Sequence, residues 1–234
     1  MYPGAHPPGS AHPYRSHSIW EVVIPRILLL CCAALLALAP LSAAATADPV
    51  SAPRDQLEHE HALIRKVAEA ALDEARSLRA DPAVGLERAR DLHDFFHNFA
   101  DRCHHAKEDR FYFPTGRFHA GAQVRDLVLE LQNEHVYGTA IIQVLGHALQ
   151  AEQPDRHLIA DRLEAYARMV RVHIRKENQQ LFPVIDARLP SEAAAALMAG
   201  FTRIERHELG EGFHQRYKAL ARELLAGPQQ QGQQ

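Results

Sequence analysis

His104-His105-Ala106-Lys107-Glu108-Asp109-Arg110-Phe111-Tyr112-Phe113-Pro114 returns later in the chain as His173-Ile174-Arg175-Lys176-Glu177-Asn178-Gln179-Gln180-Leu181-Phe182-Pro183. Both copies read H-x-x-K-E-[DN]-x-x-[YL]-F-P. A shorter echo precedes each copy, Glu60-His61 before the first and Glu134-His135 before the second. The chain therefore reads as two halves, each with an E-H and then an H-x-x-x-E. Residues four apart lie on one face of a helix, about 6 Å apart along its axis. His104 with Glu108, and His173 with Glu177, can each grip a metal ion from one side.

Working outward, the surroundings of both copies are helical. Leu57, His61, Ile64, Ala68 and Leu72 recur at helical spacing. Asp81-Pro82 ends that helix. A second helix is expected up to about Phe113, stopped by Pro114, with a loop over Thr115 to Gly121. The third covers about Ala122 to Ala151, with His135 on its inner face, and Gln153-Pro154-Asp155 breaks it. The fourth runs to about Phe182 and a fifth from Ser191 to about Leu225. Alternating β-branched runs are missing, so no strand is expected. The expected fold is all-α: an up-down-up-down four-helix bundle over residues 52–185 with an additional C-terminal helix over 190–226.

Composition narrows the function classes. Of the 234 residues, 47 % are apolar and 24 % charged, which suits a globular domain, and the net charge of −3 speaks against nucleic acid as a partner. Cys103 is the only cysteine of the body, so an intradomain disulfide is excluded and packing or metal must hold the site. Residues 1–47 read as a disordered start followed by a secretory leader: Arg26, the apolar Ile27–Leu41 run, then Ala45-Thr46-Ala47. An exported protein, periplasmic or secreted, cleaved near Ala47 is the first reading. An uncleaved anchor, tethering the protein to a membrane through residues 27–47, is the second. Residues 227–234 read as a disordered tail.

Six candidate ligands, His61, His104, Glu108, His135, His173 and Glu177, project from four helices towards one interior. For any one histidine alone, a satisfied core or surface role would be the plainer reading. The duplication outweighs it, because a buried glutamate is costly unless it is paired or metal-bound. Mixed imidazole and carboxylate donors suit iron, manganese or zinc rather than calcium or magnesium. Two carboxylates from facing helices can bridge a pair of ions. Two iron ions are the first choice, with manganese or zinc second.

These motifs, Glu60-His61, Cys103-His104-His105-x-Lys107-Glu108, Glu134-His135 and His173-x-x-Lys176-Glu177 with both F-P exits, resemble the hemerythrin-like (HHE cation-binding) family. The resemblance covers Leu57 to Pro183. It implies a four-helix bundle around a non-haem di-iron centre, with the six residues above as ligands. Oxygen-carrying members place a second histidine one turn after the third-helix ligand, where this chain has Thr139. Their last carboxylate is an aspartate five residues after its histidine, where Glu177 is four after. A protein that binds O2, NO or peroxide, or that handles iron, is the leading reading. The alternatives are a di-iron enzyme turning over peroxide, NO or O2, and a metal-stabilised structural bundle.

Other residues receive secondary roles. His59 and His105 sit about 100° or more from the ligand face of an ideal helix, so second-shell or surface roles are expected. Glu60, Glu134 and Asp109 can orient ligand imidazoles, although solvated charges are the plainer reading. Tyr137 is a candidate ligand or hydrogen-bond donor to the site, with packing as the plainer role. His93, His97 and His104 share a helix face. His207 and Glu211 are expected at the surface, and Lys107 and Lys176 are expected to reach solvent.

Overall fold

The computed structural model describes residues 50–226, which form six helices without a strand. The expected leader, its membrane-anchor alternative and the expected disordered tail lie outside the described residues. Within the described residues, no helix is long and apolar enough to cross a membrane.

Helix α1 is Ala52–Ala80, with Pro53 in its first turn, where a missing N–H costs nothing. Helix α2 spans 87–120. It begins as α-helix Glu87–Asp94, widens into π-helical Phe95–His105 and Glu108–Tyr112, and ends as α-helix Phe113–Ala120. Helix α3 is Ala122–Gln150. Helix α4 spans 156–186, with a π turn at Glu177–Leu181. The Asp155 carboxylate caps α4 by accepting from the backbone N–H groups of His157 and Leu158 at 3.0 and 3.1 Å. Helix α5 spans 191–208 and α6 is Phe213–Leu225.

Three expectations are corrected. Pro114 does not stop α2, which runs on to Ala120. Its partner Pro183 likewise sits inside α4, which ends at Asp186 rather than near Phe182. In both copies the phenylalanine before the proline donates its N–H five residues back, Phe113 to Glu108 and Phe182 to Glu177. The ladder shifts register there, and a proline without an N–H is absorbed where it shifts. The expected loop over Thr115 to Gly121 shrinks to Gly121, whose φ of 60° and ψ of −130° suit a residue without Cβ. Finally, the single C-terminal helix is two helices, broken where Gly210 and Gly212 take φ of 95° and 84°.

The longer α2 brings the ligands level. His104 lies 16 residues before Ala120, and His135 lies 13 after Ala122, within one turn of each other in an antiparallel pair. The α1–α4 and α3–α4 pairs are packed side by side. Their apolar faces form two clusters. One holds Ile64, Phe95, Phe96, Phe99, Leu145, Leu163 and Tyr166. The other holds Leu57, Tyr112, Phe113, Val128, Leu131 and Phe182. On each of α1 to α4 the residues between the clusters are the polar ones. The six candidate ligands therefore form one layer across an otherwise apolar core.

Helices α5 and α6 lie along α1 and α2, with Leu197 and Phe201 in the second cluster and Tyr217 and Leu224 in the first. A Cβ on Gly200 would come within 2.6 Å of the Phe111 ring. Gly200→Val should therefore force α5 off α2 and lower stability by about 1–3 kcal/mol in urea unfolding, as overpacking of a filled interface does.

Candidate metal centre

All six expected ligands converge and are buried, with Glu108 and Glu177 at zero exposure. His61 Nε2 is 3.4 Å from Glu108 Oε1 and 3.2 Å from Glu177 Oε2. His104 Nε2 is 3.3 Å from the same Glu108 Oε1. Across the layer, His135 Nε2 is 3.4 Å from Glu108 Oε2, and His173 Nε2 is 3.2 Å from Glu177 Oε1. Each carboxylate thus turns one oxygen to the His61–His104 pair and the other to the His135–His173 pair.

The outer ring nitrogens are all engaged. His104 Nδ1 donates to Glu60 and His173 Nδ1 to Glu134, each at 2.9 Å. His135 Nδ1 donates to Asp109 at 2.9 Å, and His61 Nδ1 to the Asn178 amide oxygen at 2.6 Å. An acceptor at Nδ1 fixes the tautomer and leaves Nε2 as the free donor atom, the usual arrangement behind a metal-bound imidazole. Glu60, Glu134 and Asp109 are therefore orienting groups, not the solvated charges that were the plainer expectation.

The inner atoms lack partners. His61 Nε2, His104 Nε2 and all four carboxylate oxygens of Glu108 and Glu177 are buried without a hydrogen bond. His135 Nε2 and His173 Nε2 face each other at 3.0 Å, a contact that needs a proton on one of the two. Orphaned buried polar atoms are rare and costly. A nitrogen and oxygen donor set this dense is what a borderline cation satisfies, so the residues fit a metal centre.

Charge points the same way. Burial pushes Glu177 up, and so does Glu108 beside it, yet His173 and His61 draw it down to about 2. Burial opposes the charged form of His61, but Glu108 and Glu177 hold it up at about 10. His135 is likewise held at about 10, against burial, by Asp109 and Glu108. Without a cation, protonated imidazoles must neutralise the two carboxylates.

The ring of support repeats with the sequence. Phe182 stacks on His61 with centroids 5.5 Å apart, and Phe113 on His135 at 5.6 Å. Lys107 binds Glu60, and Lys176 binds Glu134. Here the halves diverge. Lys176 stays near the surface, also bonded to Glu130. Lys107 does not reach solvent as expected but is fully buried. Its ammonium is 2.5 Å from both Glu60 and Glu205, and His214 lies 3.2 Å from Glu205. Helices α5 and α6 thus plug the support of His104.

Several expectations change. His105 is buried and stacks on the His135 ring at 4.1 Å, instead of lying off the ligand face. The π-helical stretch ending at His105 turns each residue through a smaller angle than an α-helix, which brings His105 closer in phase to His104. Tyr137 is 58 % exposed on the outer side of α3 and does not enter the cluster. His93 and His97 stack at 5.9 Å but are not joined to His104. His59, His207 and Glu211 are exposed, as expected. Burial pushes the Cys103 thiol up to about 12, which disfavours its reactive thiolate form. Asn178, Asp101, Glu205 and His214 were not anticipated. The repeat itself could have found Asn178, which occupies the place of Asp109.

A family model described as the hemerythrin HHE cation binding domain matches residues 52–185, more than half of the chain. The chain belongs to the hemerythrin HHE cation-binding family. Membership implies binding of a metal cation, and this HHE domain has buried His/Glu groups that could hold one. Similar proteins from Mycobacterium bovis and from two strains of Mycobacterium tuberculosis, described as uncharacterized, are 27 % identical over 144 residues, covering 58 % of this chain and 54 % of each relative. The chain thus spans about half the length of the curated relatives it matches. No solved structure matches it. Helices α5 and α6, with Glu205 and His214, fall beyond the residues that the HHE model matches.

The charges predict a pH window for the metal-free HHE domain. Glu60 and Glu177 fall from an ordinary 4.5 to about 2, so their stabilisation is present above 4.5 and lost as pH falls towards 2. His61 and His135 rise from 6.5 to about 10, so theirs is full below 6.5 and lost as pH rises towards 10. His105 is lowered from 6.5 to about 4 by burial and by His135, so it costs stability as pH falls below 6.5. Chelator-treated protein should therefore melt highest near pH 6.5, and lower at pH 3 and pH 9.

Proposed function

We propose that the layer holds two metal ions, iron first, and that this centre binds a small diatomic gas or peroxide. The observation that carries the reading is the divided aim of Glu108 and Glu177. One oxygen of each faces His61 and His104, and the other faces the His135–His173 side. Carboxylates placed this way would let Glu108 and Glu177 hold two ions between them, as two-metal sites about 3.5–4 Å apart require.

In this reading His61 and His104 serve one ion and His135 and His173 the other. Iron so bound supplies redox-active coordination positions for a small ligand. The chain's own residues do the rest. Glu60, Glu134, Asp109 and Asn178 hold the four Nε2 atoms inward. Phe113 and Phe182 pin the imidazole planes, and the two apolar clusters keep bulk water from the layer. Protons held on His61 and His135 must leave when a cation enters, since a ligating imidazole is neutral. The leader-like sequence supports placing this activity outside the cytosol.

Purified protein loaded anaerobically with ferrous iron should hold about two ions per chain by elemental analysis. Glu108→Ala and Glu177→Ala should each lower that content, and wild-type loading in both would defeat the bridging assignment. Oxygen release on adding peroxide would mark an enzyme, and a spectral change without release would mark a binder.

A further inference from the structure

We propose that Glu205 and His214 are positioning residues for His104, acting through Lys107 and Glu60, and that they make the ion of His61 and His104 the slowly released one; this rests on the two-metal reading above. The contacts run in one connected chain. His104 Nδ1 donates to Glu60 Oε2 at 2.9 Å. The Lys107 ammonium is 2.5 Å from Glu60 Oε1 and 2.5 Å from Glu205 Oε1. His214 Nε2 lies 3.4 Å from the same Glu60 oxygen and 3.2 Å from that of Glu205. Gln56 of α1 donates to Glu205 at 2.5 Å, and the His214 ring packs against Phe99 with centroids 5.3 Å apart. Helices α5 and α6 thereby close over the support of His104.

The other half carries the same charges without that cover. Lys176 binds Glu134 and Glu130 as Lys107 binds Glu60 and Glu205. In each half one lysine stands between two carboxylates, so the glutamate behind the imidazole keeps its acceptor strength. Burial separates the halves. The Lys107 and Glu60 side chains are 0 % and 2 % exposed, and those of Lys176 and Glu134 are 21 % and 23 % exposed. Asp109 and Asn178, the other two acceptors, are both half-buried, so the difference falls on Glu60 and Glu134. An ion leaves when its imidazoles swing away, which breaks the bond at Nδ1. Water can replace that bond at Glu134, but not beneath α5 and α6, where charges are also screened less.

The test loads full-length protein anaerobically with ferrous iron and follows release into excess chelator by absorbance, with circular dichroism of each variant. Wild type should release about two ions in two phases. Glu205→Gln should quicken the slow phase roughly 10- to 100-fold, as loss of outer support does, and leave the fast phase unchanged. His214→Gln should act in the same direction, and Glu130→Gln should leave the slow phase as it is. An unchanged slow phase in Glu205→Gln would overturn the assignment, and so would both phases quickening alike, the mark of general loosening. Should Glu205→Gln lose its helicity, an unchanged slow phase in His214→Gln would overturn it instead. Two ions leaving wild type in one phase would overturn this proposal alone. Fewer than two ions bound would sink the two-metal reading, and this proposal with it.

Discussion

Two carboxylates with no exposure, Glu108 and Glu177, sit in the middle of an apolar bundle, and positive charge must meet them there. A buried carboxylate is costly unless it is paired, and the cost grows where two share one site. Everything in the layer answers that constraint. Imidazoles surround the carboxylates, and acceptors behind the imidazoles fix which nitrogen points inward. The core divides into two apolar clusters because this polar layer crosses all four helices at one height. Exchangeable protons can neutralise the layer, but only by charging imidazoles against their own desolvation. Cations do it without leaving nitrogen or oxygen orphaned.

The supporting shell has an approximate twofold pattern that follows the duplicated sequence. Within each half, the glutamate of the E-H holds the histidine of the H-x-x-x-E: Glu60 holds His104 and Glu134 holds His173. Between halves, the residue after the carboxylate holds the histidine of the other E-H: Asp109 holds His135 and Asn178 holds His61. The phenylalanine of each F-P also crosses over, Phe113 to His135 and Phe182 to His61. Every fixed letter of the repeat from H to F thus acts on the layer. The pattern breaks at Lys107, which α5 and α6 bury, and at His105, which has no counterpart.

Much of this was legible because helical spacing converts sequence into faces. The six inward residues, the all-α class and the helix order follow from i, i+4 periodicity and two E-H echoes. What was not legible depends on departures from the ideal helix. Pro114 read as a stop because a proline breaks an α-helix, yet a π turn absorbs it. His105 read as off-face because the phase assumed 100° per residue, yet the π-helical stretch keeps it beside His104. The burial of Lys107 was invisible because its partners, Glu205 and His214, lie about a hundred residues away on helices whose packing no local pattern encodes. Tyr137 was drawn inward by proximity to His135 in sequence alone, and the helix turns it to solvent.

The central claim is a pair of ions spanned by Glu108 and Glu177. It is tested most directly by an anomalous difference map from a crystal of the iron-loaded protein. The account predicts two iron peaks about 3.5–4 Å apart in the layer, one beside His61 and His104 and the other beside His135 and His173. A single peak, or peaks outside the layer, would contradict it.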